Sequence, residues 1–395
     1  MKHGRKHRCF EQEYLKEDDN ENENHFHIID KAFFLCYNAS CFDDGFSCRR
    51  KYFHNCEADM VKKIAALLLA SAVVLSVFSG CTKPSDGNAA SDSGKITIVA
   101  TIFPAYDWVK NVLGTHTEEA ELTLLLDNGV DLHSFQPTAE DILKISTCDF
   151  FIYVGGESDA WVEKALKGTV NKEVKVISLM DALGDAVKEE ELVEGMQEEE
   201  HEEEHEEEEE GPETDEHVWL SLRNAEVLVK AIAETLSEID AENAADYNKN
   251  AASYIEKLQA LDKEYEKAVR EGSTNTVLFA DRFPFRYLVD DYGLNYFAAF
   301  AGCSAEAEAS FSTITFLSGK LDELQLPAVL VLEGSDRRIA QTVVDNTSSK
   351  DCEILVMNSM QGTSSEDIKA GASYLSIMEA NLAVLKSSLG TGSDD

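Results

Sequence analysis

One stretch of the chain, residues 244–271, contains neither proline nor glycine and keeps an unbroken helical period. Its large apolar side chains fall on one helical face: Tyr247, Tyr254, Leu258, Leu261 and Tyr265. At 1.5 Å per residue, such a helix is about 40 Å long, which is more than a small domain needs. The pattern predicts a rigid helix that joins a lobe formed by residues 95–243 to a lobe formed by residues 272–395.

Short apolar runs alternate with amphipathic segments on both sides of this helix. In the first lobe we predict strands at residues 96–102, 121–126, 149–154 and 174–179, and helices at 104–112, 138–145, 158–166 and 222–238. In the second lobe we predict strands at residues 276–280, 295–300, 328–332 and 353–356, and helices at 283–292, 312–323, 337–346 and 367–389. Because strand and helix follow each other in strict succession, the fold class is α/β: two parallel-sheet lobes joined by a single long helix.

The segment 60–81 has the organisation of a bacterial lipoprotein signal. Lysines at 62 and 63 precede an apolar run, and small residues precede Cys81. The tetrapeptide FSGC resembles a lipobox, in which the signal is cut before the cysteine and the cysteine is lipidated, although Phe78 stands where a leucine-like residue is usual. The alternative is a single membrane-spanning helix, for which the apolar run is near the lower length limit.

Residues 1–59 mix histidine, cysteine and charge without a sustained period, and we interpret them as the product of a start codon placed too early. The alternative is a small zinc site, but the spacing C-x4-C-x6-C-x7-C matches no paired zinc knuckle. Residues 82–94, which follow the signal, are small, polar and rich in glycine and serine, and so predict a tether.

Of the nine cysteines, three belong to the body of the protein: Cys148, Cys303 and Cys352. This odd number does not indicate a disulfide-stapled fold. The sequence leaves a Cys303–Cys352 bridge open.

The chain is strongly acidic, with 35 Lys and Arg against 75 Asp and Glu and a formal net charge of −40. Such a charge repels nucleic acid and attracts cations. Within an acidic loop at 194–216, residues 198–210 read EEEHEEEHEEEEE and include His201 and His205. Carboxylate and imidazole are zinc ligands, so the loop is predicted to collect metal; the alternative is a solvated acidic linker with two incidental histidines.

Two further histidines lie in motifs with apolar neighbours. His133 lies in GVDLHSFQP (129–137), and His217 lies in DEHVWL (215–220). Neutral imidazole binds zinc, and the apolar setting indicates ordered structure, so we expect both histidines to be metal ligands. Asp131 has two interpretations: it orients the His133 ring by accepting an imidazole N–H, or it forms the turn after Gly129.

Taken in order, these motifs resemble the cluster of zinc and manganese substrate-binding lipoproteins that deliver metal to ABC importers. The match runs over residues 95–389 and includes the turn at His133, the acidic histidine-rich loop and the strand end at His217. It continues with helix positions and a closing motif: Tyr247, Asn250, Tyr254, Leu258, Tyr374, Met378, Asn381 and Leu382.

The resemblance implies a metal held in the cleft between the lobes by loops at the carboxyl ends of strands, with His133 and His217 as ligands. It implies a monomer, lipid-anchored at the outer face of the bacterial cell membrane, that captures Zn²⁺ and delivers it to the membrane subunits of an ABC permease. Mn²⁺ is the alternative cargo.

The C-terminal lobe departs from the family pattern, because no histidine follows His217. The family's third histidine falls at Arg282, beside Asp281, and arginine has no lone pair to offer a metal. The family's late acidic ligand falls within residues 358–361, which contain no carboxylate and leave only the side-chain carbonyl oxygens of Asn358 and Gln361.

Three explanations remain open for this departure. In the first, Asp281 is the third ligand, and a water or Glu308 completes a tetrahedron. In the second, the lobe contributes no ligand, and Arg282 and Arg286 pair with carboxylates such as Glu306, Glu308 or Glu333. In the third, the arginines bind a metal complex with an anionic chelator. A structural alternative is that Asp281 and Arg282 cap the helix that follows them.

Three classes of function are compatible with a metal site. The favoured one is a non-enzymatic transport receptor. A zinc hydrolase would need an open coordination position and a general base such as Glu216, but the sequence contains no His-Glu-x-x-His motif. A surface adhesin of the same fold is the third.

Overall fold

The computed structural model describes residues 94–197, 214–304 and 308–391. The predictions for residues 1–93, which include the signal sequence and lipidation of Cys81, lie outside this part of the chain. So do His201, His205 and Glu306.

The first lobe is built on a four-stranded parallel sheet. Its strands are β1 (Ile96–Ala100), β2 (Ala120–Leu124), β3 (Phe150–Tyr153) and β4 (Lys175–Ser178), in the order β2-β1-β3-β4. The helices are α1 (Phe103–Leu113), α2 (Ala139–Thr147), α3 (Trp161–Lys167), α4 (Leu179–Leu183) and α5 (Leu222–Ile239). Ile98, Phe150 and Phe151 are fully buried, as expected for a parallel sheet covered on both faces.

Helix α6 (Ala244–Glu271) has the bounds that the sequence predicts. It contacts the first lobe where Asn250 Nδ2 donates to the Val112 carbonyl at 3.0 Å. It contacts the second lobe where the Tyr265 hydroxyl donates to the Met378 carbonyl at 2.6 Å. Leu258, near its middle, is fully buried, which contributes about 1.5–3 kcal/mol. One helix therefore packs into both lobes.

The second lobe repeats the topology of the first. Its strands are β5 (Thr276–Phe283), β6 (Asn295–Ala301), β7 (Ala328–Leu332) and β8 (Glu353–Met357), and their order is β6-β5-β7-β8 with all pairings parallel. The helices are α7 (Arg286–Tyr292), α8 (Phe311–Leu324), α9 (Arg338–Asp345), α10 (Ser365–Ala370) and α11 (Tyr374–Ser388). The predicted α/β class with two parallel sheets and one joining helix is confirmed.

Many helices begin at a side-chain cap. The capping oxygens accept a backbone N–H from the first turn, and they belong to Thr138, Ser178, Ser221, Ser310, Ser364 and Ser373. Each such cap contributes about 1 kcal/mol.

Two predicted helices are wrong in part. The segment 367–389 is not one helix, because Gly371 adopts a φ of 106° and separates α10 from α11. The segment 283–292 starts its helix only at Arg286, since β5 continues to Phe283. Asp281 and Arg282 therefore lie within a strand, and the interpretation that they cap a helix is wrong.

None of the helices in the described ranges is long and apolar enough to cross a membrane.

Candidate metal centre

His133 lies in a 3₁₀ turn (Leu132–Ser134) beyond the carboxyl end of β2. The turn begins at Asp131, whose Oδ1 accepts the His133 backbone N–H at 3.0 Å. The His133 ring places Nδ1 2.8 Å from Ser158 Oγ and 3.6 Å from Glu216 Oε2. These oxygens favour a proton on Nδ1, which leaves the lone pair on Nε2. The prediction that Asp131 orients this ring is therefore wrong, and the turn interpretation is right.

His217 is fully buried at the start of a second 3₁₀ turn (Val218–Leu220). Asp215 Oδ1 accepts both the His217 backbone N–H at 2.8 Å and the ring Nδ1–H at 2.9 Å. An ionised carboxylate can only accept, so the Nδ1 position carries the proton and Nε2 keeps its lone pair.

The two Nε2 atoms face each other at 3.3 Å. Two nitrogens bound to one tetrahedral zinc at ~2.0–2.1 Å lie ~3.3–3.4 Å apart. His133 and His217 are thus already spaced for one ion.

Burial, and secondarily the neighbouring His217, lower the pKa of His133 to about 4. The ring is therefore neutral near pH 7, which is the form that binds a metal.

Glu216 is buried behind the pair. Its Oε1 accepts the Ser158 backbone N–H at 2.9 Å, and Oε2 has no hydrogen-bond partner among the residues that the structure describes. The loop that encloses it needs Gly156, whose φ is 80° and where a Cβ would collide with the Glu216 carboxylate. Burial raises the pKa of Glu216, and burial followed by the nearby Glu216 raises the pKa of Asp159 to about 7. Both carboxyl groups therefore ionise less readily than exposed ones.

Cys303 joins the two histidines from the second lobe. Its Sγ and one ring nitrogen of each histidine lie within 4.8 Å of one another, and no other such group of three occurs in the described ranges. The cysteine is separated from the end of β6 by Gly302 alone, where a Cβ would lie only 3.0 Å from His217 Cε1. Sequence reasoning missed this residue because Cys303 was considered only as half of a disulfide. Its position just after a parallel strand was the available signal.

Within the described ranges Cys148, Cys303 and Cys352 are all free thiols. Cys352 Sγ contacts the Leu326 carbonyl at 3.8 Å. The Cys303–Cys352 bridge that the sequence left open is not formed. Burial raises the pKa of the Cys303 thiol well above its usual range.

Asp281 and Glu308 lie outside the cluster. The two carboxylate oxygens of Asp281 accept the backbone N–H groups of Arg282 at 2.9 Å and Leu332 at 3.1 Å, which ties β5 to β7. Glu308 is exposed at the rim of a cavity of about 620 Å³. The structure does not place either residue as a third ligand beside the histidines.

Arg282 spans the two lobes. Its Nη2 donates to Asp131 Oδ2 at 2.9 Å. The second explanation is thus right that arginine pairs with carboxylate, but wrong about the partners, since Arg286 pairs with Glu191 at 3.1 Å and with Asp290 at 3.7 Å.

The third explanation was that the arginines bind a metal complex with an anionic chelator. The charge of the cavity beside Arg282 does not favour it. The same cavity is lined by two arginines, Arg282 and Arg338, and by four carboxylates, Asp131, Asp281, Glu308 and Asp336, so its formal charge is 2 − 4 = −2. Asn358 was one of two residues whose side-chain carbonyl oxygen could replace the family's acidic ligand. Its Oδ1 accepts the Met360 backbone N–H at 2.7 Å.

The sequence profile of the zinc-uptake complex component A (ZnuA) family, described as periplasmic, matches residues 98–388. The chain belongs to this family. The zinc-binding lipoprotein AdcA of Streptococcus pneumoniae is 34% identical over 328 residues, which cover 82% of this chain and 61% of that protein. The high-affinity zinc uptake system protein ZnuA of Bacillus subtilis is 31% identical over 330 residues, covering 84% of this chain and 99% of the relative. The chain spans about three-fifths of the length of the AdcA relative.

Solved structures agree with the fold. The Zn(II)-bound ZnuA-like domain of S. pneumoniae AdcA superposes with a TM-score of 0.59 at 32% identity, covering 75% of this chain and 99% of that domain. A laminin-binding adhesin from Streptococcus agalactiae shares the fold at 21% identity and a TM-score of 0.60, with 74% of this chain and 99% of the adhesin covered.

Proposed function

We propose that this protein is the substrate-binding component of a zinc ABC importer. The observation that carries the proposal is the pair of Nε2 atoms of His133 and His217, which face each other at 3.3 Å while both Nδ1 atoms are held by oxygens. This is the arrangement of imidazoles around one tetrahedral cation. The protein captures Zn²⁺ in the cleft between its lobes and releases it to the permease without chemical change.

Zinc is favoured over manganese by the donor atoms. Imidazole nitrogen suits zinc, whereas manganese prefers carboxylate, carbonyl and water oxygen. The nearest carboxylates, Asp215 and Glu216, are held by His217 and by the Ser158 N–H. The names of the AdcA and ZnuA relatives, both of which specify zinc, support the same cargo.

The partners follow from this role: a membrane permease and the ATPase that drives it. We place the protein at the outer face of the cell membrane as a lipid-anchored monomer, supported by the signal-like segment before Cys81 and by the lipoprotein name of the AdcA relative.

A hydrolase is disfavoured by the position of its only suggested base. Glu216 lies behind the His133 ring and is buried, with 3% of its side chain exposed, so it does not face the Nε2 side where a metal would hold water. The adhesin alternative rests on shared fold alone, which does not determine function.

Calorimetric titration with zinc tests the proposal. Parent protein and variants His133→Ala, His217→Ala and His116→Ala are compared in a background that lacks residues 198–210, so that the acidic loop does not contribute. We expect one zinc site that is lost in the first two variants. His116→Ala is the matched control, because His116 pairs with Glu119 and Asp246 and should leave zinc binding unchanged. Zinc binding that is indifferent to His133 would contradict the cleft site.

A further inference from the structure

The second lobe has no histidine with which to bind the metal, yet its Cys303 thiol lies beside the histidine pair. We propose that the Cys303 thiolate is the third zinc ligand, so that the site is His₂Cys with one ligand from the second lobe. This inference rests on the proposed function, because it names a ligand of the same site.

Distance is the first support. The Sγ and one ring nitrogen of each histidine lie within 4.8 Å of one another. In a tetrahedral zinc site with Zn–S of ~2.3 Å and Zn–N of ~2.0–2.1 Å, sulfur and nitrogen are ~3.6 Å apart. A shift of about one ångström therefore completes the geometry, which is within the range of a side-chain rotation.

The backbone around the thiol provides the second support. Cys303 follows β6, and its N–H donates to Glu190 Oε1 at 3.1 Å. At Gly302 a Cβ would lie 2.9 Å from the Phe283 carbonyl oxygen and 3.0 Å from His217 Cε1, closer than side-chain carbons normally approach. The strand end therefore packs closely against the His217 ring, and this packing fixes the backbone just before Cys303.

The competing donors provide the third support. Asp281 has both oxygens engaged by backbone N–H groups, and the position of the family's third histidine is Arg282, which is paired to Asp131. Cys303 forms no disulfide with either of the other two cysteines in the described residues. Among the residues that the structure describes, Cys303 is the second-lobe residue whose metal-binding atom lies within 4.8 Å of a ring nitrogen of both histidines.

On binding, the thiol proton passes to solvent, a water leaves the zinc ion, and a Zn–S bond forms; no electron transfer is needed. Three protein ligands leave one tetrahedral position open. A thiolate also favours zinc and other soft cations over manganese and magnesium.

Alkylation mapping of the full chain tests this ligand without any substitution. The protein is treated with iodoacetamide with and without zinc, and modification of each cysteine is followed by peptide mass spectrometry. We expect zinc to slow modification of Cys303 at least tenfold, and to leave the half-buried Cys352 unaffected as the internal control. Magnesium should protect neither.

Cobalt(II) spectra of Cys303→Ser and Cys352→Ser provide the second measurement. We expect a thiolate-to-cobalt charge-transfer band in the parent and in Cys352→Ser, and its loss in Cys303→Ser. Zinc affinity of Cys303→Ser should fall by at least the ~10–100-fold that loss of an outer hydrogen-bond partner costs.

The two proposals fail differently. If zinc binds through His133 while Cys303 alkylates at an unchanged rate, the thiolate ligand is refuted and the zinc-binding role stands. If the parent protein binds no zinc, the proposed function itself fails. Should Cys303→Ser fail to fold, the alkylation result on the unmodified chain still decides the question.

Discussion

The ion pair between Arg282 and Asp131 joins the two lobes, and its contribution to stability is measurable. The two side chains meet at 2.9 Å and are 28% and 22% exposed. At an effective dielectric constant of about 20, opposite charges roughly 4 Å apart attract by about 4 kcal/mol. Partial desolvation and remaining solvent screening offset much of this attraction, so we expect a coupling energy of about 1–2 kcal/mol.

A double-mutant cycle with Arg282→Met and Asp131→Asn isolates that energy. Asparagine keeps the Oδ1 atom that accepts the His133 N–H, so the turn at His133 is preserved while the charge is removed. Free energies of unfolding of the four proteins are measured by urea titration. The exposed Arg338–Asp336 pair, whose side chains are 77% and 59% exposed, is the control, with an expected coupling below about 0.5 kcal/mol.

The pH dependence of the cycle is a second check. Although burial acts in the opposite direction, Arg282 and His133 hold the pKa of Asp131 below its usual range. A carboxyl group with a lowered pKa stabilises the folded protein above its ordinary pKa, and that stabilisation is lost as the pH falls through the lowered value. The coupling should therefore be complete at pH 7 and disappear in strong acid. A coupling at pH 7 no larger than that of the control pair would refute a stabilising bridge between the lobes.

Three other predictions concern the histidine pair. Asp215→Asn should weaken zinc binding by ~10–100-fold in calorimetry, because His217 loses the anion that fixes its ring, and unchanged affinity would argue against that role. Gly302→Ala should lower the free energy of unfolding by about 1–3 kcal/mol, because the added methyl group contacts the Phe283 carbonyl oxygen. The same substitution should weaken zinc binding. A variant as stable as the wild type would show that the end of β6 can move to accommodate the methyl group. The pKa of His133 is about 4 in the folded protein and near 6.5 when unfolded, so metal-free protein should lose on the order of 2–3 kcal/mol as the pH falls from 6.5 to 4. Denaturation of His133→Gln across this range should show a flatter profile.

The elements that could be predicted are those whose apolar residues keep a helical spacing over many residues, or whose ends are marked by an unambiguous interruption. Helix α6 was predicted to the residue, because nothing interrupts its period between Ala244 and Gly272. The break at Gly371 was missed, because a single glycine within an apolar helical pattern does not by itself show that it adopts a left-handed φ.

The site residues that could be predicted are those that lie in a recognisable motif within a single segment of the chain. His133 and His217 stand out in their own motifs, and the structure brings them together. Cys303 and Arg282 depend on contacts between segments that are far apart in the chain, which no local pattern encodes. Asp281 was chosen as a ligand for its chemical type, but in the folded protein the backbone N–H groups of Arg282 and Leu332 occupy its carboxylate.

The matching strand orders of the two sheets, β2-β1-β3-β4 and β6-β5-β7-β8, make β2 and β6 equivalent edge strands. His133 lies beyond the end of β2, and Cys303 lies beyond the end of β6. The loops that follow these two strands therefore occupy equivalent positions in the two lobes. One loop carries an imidazole, and the other carries a thiol. A change of the donor residue in either loop therefore alters the chemistry of the site without altering the strand order of its lobe.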